Sequence, residues 1–375
     1  MNVLHINTTR TWRGGEQQLA SLIEQLVPRG IGNTIACRGG SAMERVAAER
    51  GWSHHPLPFR NALDPVSLAG LRRLIASGRF DVVHIHTGRG HDLAILAALS
   101  GCRTPMVLSR RVIFPISTNI LSRWKYDFPQ IRRILCASEA IAAMVRRVVA
   151  EPERVCTVYD GVDPARFETG GTWLRTHYAL PEGAPLIGMV AALTGEKDHT
   201  TFIESARIIL REIPEARFFI IGKGPEETRI AEMIRQSGLE SQIFLTGFLP
   251  NTGEVMPELD LMMMTSRLEG LGSSILDAFA SRVPVVATDA GGIPEIVRDR
   301  ETGMLAPVGG AETLALKGIE VLNDRELSER LVVGAYELLI DRHTDERMAI
   351  DTLHEYGRAV EAGPRRLLFR SQAAV

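Results

Sequence analysis

At 375 residues the chain is too long for one ordinary core and fits two domains of roughly 100–200 residues each. Its 45% hydrophobic fraction is that of a globular protein, so disorder is not the default, and a net charge of −2 carries no whole-protein signal for nucleic acid. No stretch approaches the roughly 18–20 apolar residues of a spanning helix, and the start, MNVLHINTTR, lacks the basic and apolar runs of a secretory signal, so the sequence reads as cytoplasmic. Cys37, Cys102, Cys136 and Cys156 have no C-x-x-C spacing, which argues against a zinc site or a disulfide framework.

Short apolar runs alternate with helical ones through the first half. Strands are expected at Val3–Ile6, Thr34–Cys37, Asp81–Ile85, Met106–Ser109, Ile134–Ala137 and Val155–Tyr159. Helices are expected at Glu16–Leu26, Ala42–Arg50, Asp92–Ser100 and Ser138–Val149. Asp160–Pro164 is a turn-rich connection, after which the pattern restarts. Leu186–Val190, Ala216–Ile221, Ile243–Thr246, Leu259–Met264 and Val283–Ala287 read as strands, Thr200–Ile213 and Glu226–Ser237 as helices, and the last 60 or so residues as mostly helical. Such alternation predicts an α/β protein of two doubly wound, Rossmann-like parallel sheets, with ligands at strand C-terminal ends in a cleft.

Several loops between strand and helix carry chemistry. Thr11-Trp12-Arg13-Gly14-Gly15-Glu16 lets backbone approach a ligand beside a helix N-terminus, which favours an anion; it is not G-x-G-x-x-G, so a nicotinamide cofactor is not expected. His84 and His86 share one face at a strand end, with His91 near; no third ligand is evident, and no metal site is expected. From Arg103 to Arg154 there are ten Arg or Lys against four Asp or Glu, interleaved with Trp124, Tyr126 and Phe128, which suits an acidic acceptor or an anionic membrane surface, or else a solvated face over core aromatics. The tail from Arg365 to Arg370 is similar in character. In the second half, Lys197 in Leu193–His199 offers a cation to a leaving diphosphate, and Gly222 and Gly224 in Ile221–Pro225 make a tight turn or a ligand contact. Thr246-Gly247-Phe248 is a further strand-end turn that suits the edge of a base pocket.

The densest signal is Ser266–Val297. Glu269 sits on a glycine loop with Gly270 and Gly272, which opens into a helix at Ser273 and Ser274; Asp277 follows eight residues after Glu269, and Gly291-Gly292-Ile293-Pro294-Glu295 forms a second turn. A helix N-terminus suits an anion, whereas carboxylates beside it suit hydroxyls, and a sugar diphosphate has both. No D-x-D triplet occurs, so a paired-carboxylate metal clamp is not expected.

On these residues the chain resembles the retaining glycosyltransferases of family 4, which have the two-domain GT-B fold, over essentially its whole length and most strongly over Ser266–Pro307. The resemblance implies an N-terminal acceptor-side domain at 1–160, rejoined by a C-terminal helix at about 345–375, and a nucleotide-sugar domain at 161–344. It implies that Glu269 faces the transferred sugar, that Lys197 and Gly15 meet the diphosphate, and that Asp277 holds the ribose hydroxyls. Gly222, Gly224, Gly270, Gly272, Ser273, Ser274 and Glu295 complete the donor set. His86, Arg110 and Arg111 fall to the acceptor or the diphosphate. Three positions depart from the family pattern: Ala192 stands where an Arg is usual, Asp277 where a second Glu is usual, and Arg110-Arg111 where many members have a His. The implied reaction is metal-independent, retaining transfer, hexosyltransferase-like, from a nucleotide-diphosphate sugar to a cell-envelope glycan or lipid-linked saccharide, with peripheral contact to the inner face of an anionic membrane and no cofactor. A GT-B nucleotide-sugar epimerase and a catalytically silent nucleotide-sugar- or partner-binding protein are the alternatives.

Overall fold

The computed structural model describes residues 1–99, 101, 103–117, 119–168 and 170–362. The chain divides into two units, Met1–Tyr159 together with the segment from Asp345 onward, and Asp160–Thr344.

In the first unit, β1 (Asn2–Asn7), α1 (Gly14–Leu26), β2 (Gly32–Arg38), α2 (Ala42–Glu49), β3 (Ser53–Leu57), α3 (Pro65–Ala76), β4 (Val82–Ile85), α4 (Gly88–Ala98), β5 (Met106–Arg110), α5 (Ile120–Tyr126), β6 (Ile131–Cys136), α6 (Glu139–Arg146) and β7 (Val155–Thr157) follow in order. The strands form one parallel sheet in the order β3-β2-β1-β4-β5-β6-β7. Val82–Ile85 is fully buried, as expected of a parallel strand covered on both faces. The strand order reverses between β1 and β4, and there α1 and α4 both begin at the strand C-terminal ends, the usual place for a ligand crevice in such a sheet. Sequence reading missed β3, whose Ser53-His54-His55-Pro56-Leu57 is polar and carries a proline; it is the edge strand, where a missing N–H is tolerated.

The second unit runs α7 (Trp173–His177), β8 (Leu186–Val190), α8 (His199–Glu212), β9 (Arg217–Ile221), α9 (Glu227–Ser237), β10 (Ile243–Gly247), α10 (Thr252–Val255), β11 (Leu261–Met264), α11 (Ser273–Ala280), β12 (Val285–Thr288), β13 (Met304–Ala306), α12 (Ala311–Asn323) and α13 (Arg325–Arg342). Its parallel sheet has the order β10-β9-β8-β11-β12-β13. The reversal falls between β8 and β11, so the loops after these two strands, carrying Lys197 and Glu269, lie side by side. Val162 pairs with Thr344, which joins the start of this unit to its end.

The last helix, α14 (Asp345–Glu361), packs back on the first unit. Met348, Ala349, Tyr356 and Ala359 join Val3, Leu22, Leu26, Val82 and Val107 in one buried cluster, and Glu355 pairs with Arg133. Residues 363–375, including the basic tail from Arg365 to Arg370, lie outside the described residues, as does Cys102. Cys37, Cys136 and Cys156 are free thiols that burial pushes up to about 12, so none supplies a thiolate at neutral pH.

Candidate active site

Two loops of the second unit are fastened to one another. The Arg267 N–H donates to the Glu196 carbonyl at 2.8 Å, and the Thr265 hydroxyl lies 3.0 Å from the carbonyls of both Lys197 and Asp198. Arg267 Nε also donates to Asp198 Oδ2 at 2.8 Å. Asp198 has φ 51°, a left-handed conformation that aspartate tolerates better than most residues, and its side chain caps α8 through Thr201. Burial raises the Asp198 carboxyl, but hydrogen bonds from Arg267 and Thr201 outweigh it and hold the group below its usual range.

This fastening puts Lys197 against Glu269. Lys197 Nζ donates to Glu269 Oε2, with the two side chains only 17% and 12% exposed, so water screens the pair weakly. The Ser266 hydroxyl donates to the same oxygen at 3.0 Å, and the Gly270 N–H to Oε1 at 3.2 Å. The Gly292 N–H donates to the Glu269 carbonyl at 3.1 Å, so the second glycine turn of the sequence motif props the first. Glu295 lies in the single 3-10 turn that follows.

Gly272 ends the loop at φ 97°, and a Cβ there would come within 2.9 Å of the Ile275 side chain. The reversal it allows starts α11 at Ser273, whose first-turn N–H groups have no acceptor within the helix. Asp277, one turn further, is half-buried beside Arg166 and Thr252. Burial pushes its carboxyl up from 3.8 to about 6, against the opposing pull of Arg166 and the Thr252 hydrogen bond.

Gly222 and Gly224 have a packing reason of their own. A Cβ at Gly222 would sit 1.9 Å from the Ala191 carbonyl oxygen, and one at Gly224 2.3 Å from that of Leu193. The turn presses on the backbone of the Lys197 loop, to which it also bonds through Leu193 N to Lys223 O at 3.2 Å. Both glycines are accounted for without a ligand. Gly15 is different: nothing lies within 4 Å of a Cβ placed there. Its neighbour Glu16, 4% exposed, ties the loop down by accepting from Asn7, Thr9 and the Arg13 N–H. Sequence reading passed over Glu16 as a structural residue, although a carboxylate at the third position of a helix is a capping signal.

His84 and His86 do share a face, and the structure supplies the third imidazole that sequence reading did not find. His5, paired in register with His84 across β1 and β4, brings three ring nitrogens within 4.8 Å of one another. Hydrogen bonds occupy five of the six. His5 bonds Asn33 at 2.9 Å and His86 at 3.1 Å; His84 bonds Tyr356 at 2.6 Å and Ser109 at 2.7 Å; only His86 Nδ1 is without a partner. Burial, then mutual repulsion and the Arg111 charge, hold His84 and His86 well below the usual imidazole range, so they stay neutral. The cluster is a hydrogen-bonded network that anchors α14 through Tyr356. His91 stands apart, against the Lys125 carbonyl and the Tyr126 ring.

The basic stretch largely serves the fold. Arg110 donates to the Tyr126 hydroxyl at 2.7 Å and to the Phe114 carbonyl at 2.5 Å, and its Nε is buried. Lys125 pairs with Asp92, Arg133 with Glu355, Arg146 with Glu139 and Arg154 with Asp127. Tyr126 and Phe128 are core. Arg111 lies close enough to act electrostatically on His84, His86 and Tyr356. Among the described residues no helix is long and apolar enough to cross a membrane.

Comparison with known proteins bears on this arrangement. The model of the Glycosyltransferase Family 4 domain matches residues 12–166, and that of Glycosyl transferases group 1 matches residues 174–338. The chain is 23% identical to the N-acetyl-alpha-D-glucosaminyl L-malate synthase of Bacillus anthracis over 275 residues, 72% of each chain. It is 25% identical to the lipopolysaccharide core biosynthesis glycosyltransferase LpsE of Rhizobium meliloti, over 89% of this chain and 92% of that one. The crystal structure of HepE of Anabaena in complex with UDP-glucose superposes with a TM-score of 0.85 at 17% identity, covering 95% of this chain and 99% of that one. The two family models, which between them take in both sheets, place the chain among the family 4 glycosyltransferases, and the architecture it shares with HepE across nearly the full length is the GT-B fold.

Proposed function

We propose that this glycosyltransferase moves a sugar with retention, and without a catalytic metal, from a nucleotide-diphosphate sugar to a hydroxyl of a cell-envelope glycan or lipid-linked saccharide. The observation that carries the reading is the Lys197–Glu269 pair, held by two fastened loops beside the open N-terminus of α11. Lys197 and the first-turn amides of Ser273 and Ser274 supply positive charge where the diphosphate develops its negative charge. Donor binding would draw Lys197 from Glu269 to the phosphates and free the carboxylate to face the sugar.

In the transfer step the bond from the anomeric carbon to the diphosphate oxygen breaks and a bond to the acceptor oxygen forms on the same face. The acceptor proton leaves on the departing phosphate. Glu269 stabilises the oxocarbenium-like centre or takes a sugar hydroxyl, and needs no covalent intermediate. Asp277 takes the ribose hydroxyls, Gly15 leaves room for the diphosphate, and His86 and Arg111 serve the acceptor side. Peripheral contact with an anionic membrane would suit a lipid-linked acceptor. UDP is the first donor base to try, because HepE binds UDP-glucose.

The test is a thermal-shift screen against UDP, GDP, ADP, dTDP and CMP and their sugars, with and without EDTA, followed by product analysis of the anomeric configuration. A shift for one nucleotide that survives EDTA and is lost in Lys197→Ala or Glu269→Ala, with an α-linked product from an α-linked donor, is expected. An inverted product, or dependence on a divalent ion, would refute the reading.

A further inference from the structure

Between Val112 and Leu121 the first unit turns large apolar side chains outward. Val112 and Phe114 are 47% and 48% exposed, Ile120 is 87% and Leu121 62%. No other stretch of that length exposes as many among the described residues. Their backbone is nevertheless tied down. Ile113 and Ile116 pack on the core, the Arg110 guanidinium holds the Phe114 carbonyl, and Asn119 caps α5 by accepting from the Ser122 N–H at 2.8 Å. Tyr126, buried, and Trp124, edge-on to Phe128, pin the end of α5. The outward side chains are therefore held in water by their neighbours, against the hydrophobic effect, and such a cluster marks an interaction surface.

The charge of the same stretch selects the partner. From Leu93 to Tyr126 there is no Asp or Glu, but there are Arg103, Arg110, Arg111, Arg123 and Lys125. Lys125 is matched by Asp92, just outside the stretch. Arg110 gives its donors to two neutral oxygens, the Tyr126 hydroxyl and the Phe114 carbonyl, so no carboxylate cancels its charge there. Arg123, on the exposed side of α5 two residues after Leu121, has no ion pair among the described residues. Protein interfaces keep charge out of their fitted core, whereas a lipid headgroup layer takes apolar side chains and cations together. Ile120, projecting clear of its neighbours, suits insertion into such a layer, and positive charge without carboxylates suits anionic headgroups.

We propose that Val112, Phe114, Ile120 and Leu121 dock the first unit on an anionic lipid surface, with Arg123 meeting the lipid phosphates. The inference rests on the peripheral membrane contact in the functional reading above and gives that contact its residues. It does not depend on which sugar is transferred.

The test is co-sedimentation of the full chain with vesicles of phosphatidylglycerol and phosphatidylcholine in equal parts, and with phosphatidylcholine alone, at low and high sodium chloride. The wild type, the double variant Ile120→Ser with Leu121→Ser, and Arg123→Ser are compared. Binding to the anionic vesicles alone is expected, and it should weaken as salt rises. The double variant should bind at least about tenfold more weakly, because two apolar side chains no longer leave water. Arg123→Ser should bind about fivefold more weakly, as for one cation near a charged surface. All three side chains are exposed, so melting temperatures and the thermal shift with donor nucleotide should stay at wild-type values. That shift is read without vesicles, and so lipid docking and donor binding fail separately. The proposal falls if the wild type ignores the anionic vesicles, binds both kinds alike, or is matched by the double variant. It falls equally if light scattering finds a wild-type dimer that the double variant lacks, since a second copy would then cover this face.

Discussion

Replacing Asp277 by Asn should stabilise the protein at neutral pH. The Asp277 carboxyl is raised from 3.8 to about 6 by burial, which Arg166 and Thr252 only partly offset. The folded state therefore keeps a proton that the unfolded chain has already lost between about pH 4 and pH 6, and stability falls as pH rises through that window. The displacement of roughly two pH units corresponds to at most about 3 kcal/mol of ionisation cost above pH 6. Asp277 is half-buried rather than sealed, and the residual contact with water reduces this to about 1–2 kcal/mol. Asn has the same shape, carries no charge and can keep the Thr252 contact. Its gain at pH 7.5 should be worth about 2–4 °C in melting temperature per kcal/mol for a unit of this size. At pH 4.5 the wild-type group is protonated in the folded state, and the gain should shrink to about a third. Thermal unfolding of both proteins at the two pH values measures this directly. An Asn variant less stable than the wild type at pH 7.5, or one with an equal gain at both pH values, would refute the reasoning.

Other substitutions separate packing from binding. Asp277→Asn should also weaken donor binding above pH 6, since the carboxylate proposed for the ribose is gone, and a titration with the donor nucleotide will show whether the two effects travel together. Gly222→Ala should cost more than about 2 kcal/mol, because its Cβ meets the Ala191 carbonyl oxygen at 1.9 Å; Gly15→Ala, with nothing within 4 Å, should leave the melting temperature unchanged and reduce donor affinity. Tyr356→Phe removes the hydroxyl 2.6 Å from His84 Nδ1 and should cost about 1–2 kcal/mol in denaturant unfolding, with no change in the donor complex. Lys197→Ala should lower kcat by about 10²–10³-fold, the loss of one preorganised group at a developing anion, and a KM effect alone would contradict that role.

Much of this was legible in the chain itself. Alternation of buried apolar runs with helical ones marked both parallel sheets, and the Leu186–Val190 strand falls as expected, because a short run of Leu, Ile, Met and Val broken only by Gly188, and bounded by turn residues, has few other places to go. The glycine loop before Ser273 was legible for the same local reason: only glycine reaches φ 97° freely, and only a sharp reversal starts a helix there. Edge strand β3, with its polar residues and proline, was not, since its position is set by pairing with β2 and not by its own composition.

The local residue types of this chain determined two α/β units, the strand-end loops and the family they resemble. What only the tertiary structure decided is which long-range partners those loops find. Lys197 and Glu269 are 72 residues apart, and His84 and Tyr356 are 272 apart. Nothing in either local sequence specifies the partner. Sheet order does, because it sets strands distant in the chain next to each other and so brings the side chains at their ends within hydrogen-bonding reach. A nearer contact, Arg110 to the Tyr126 hydroxyl 16 residues on at the end of α5, likewise turns a cation that looked available into part of the scaffold.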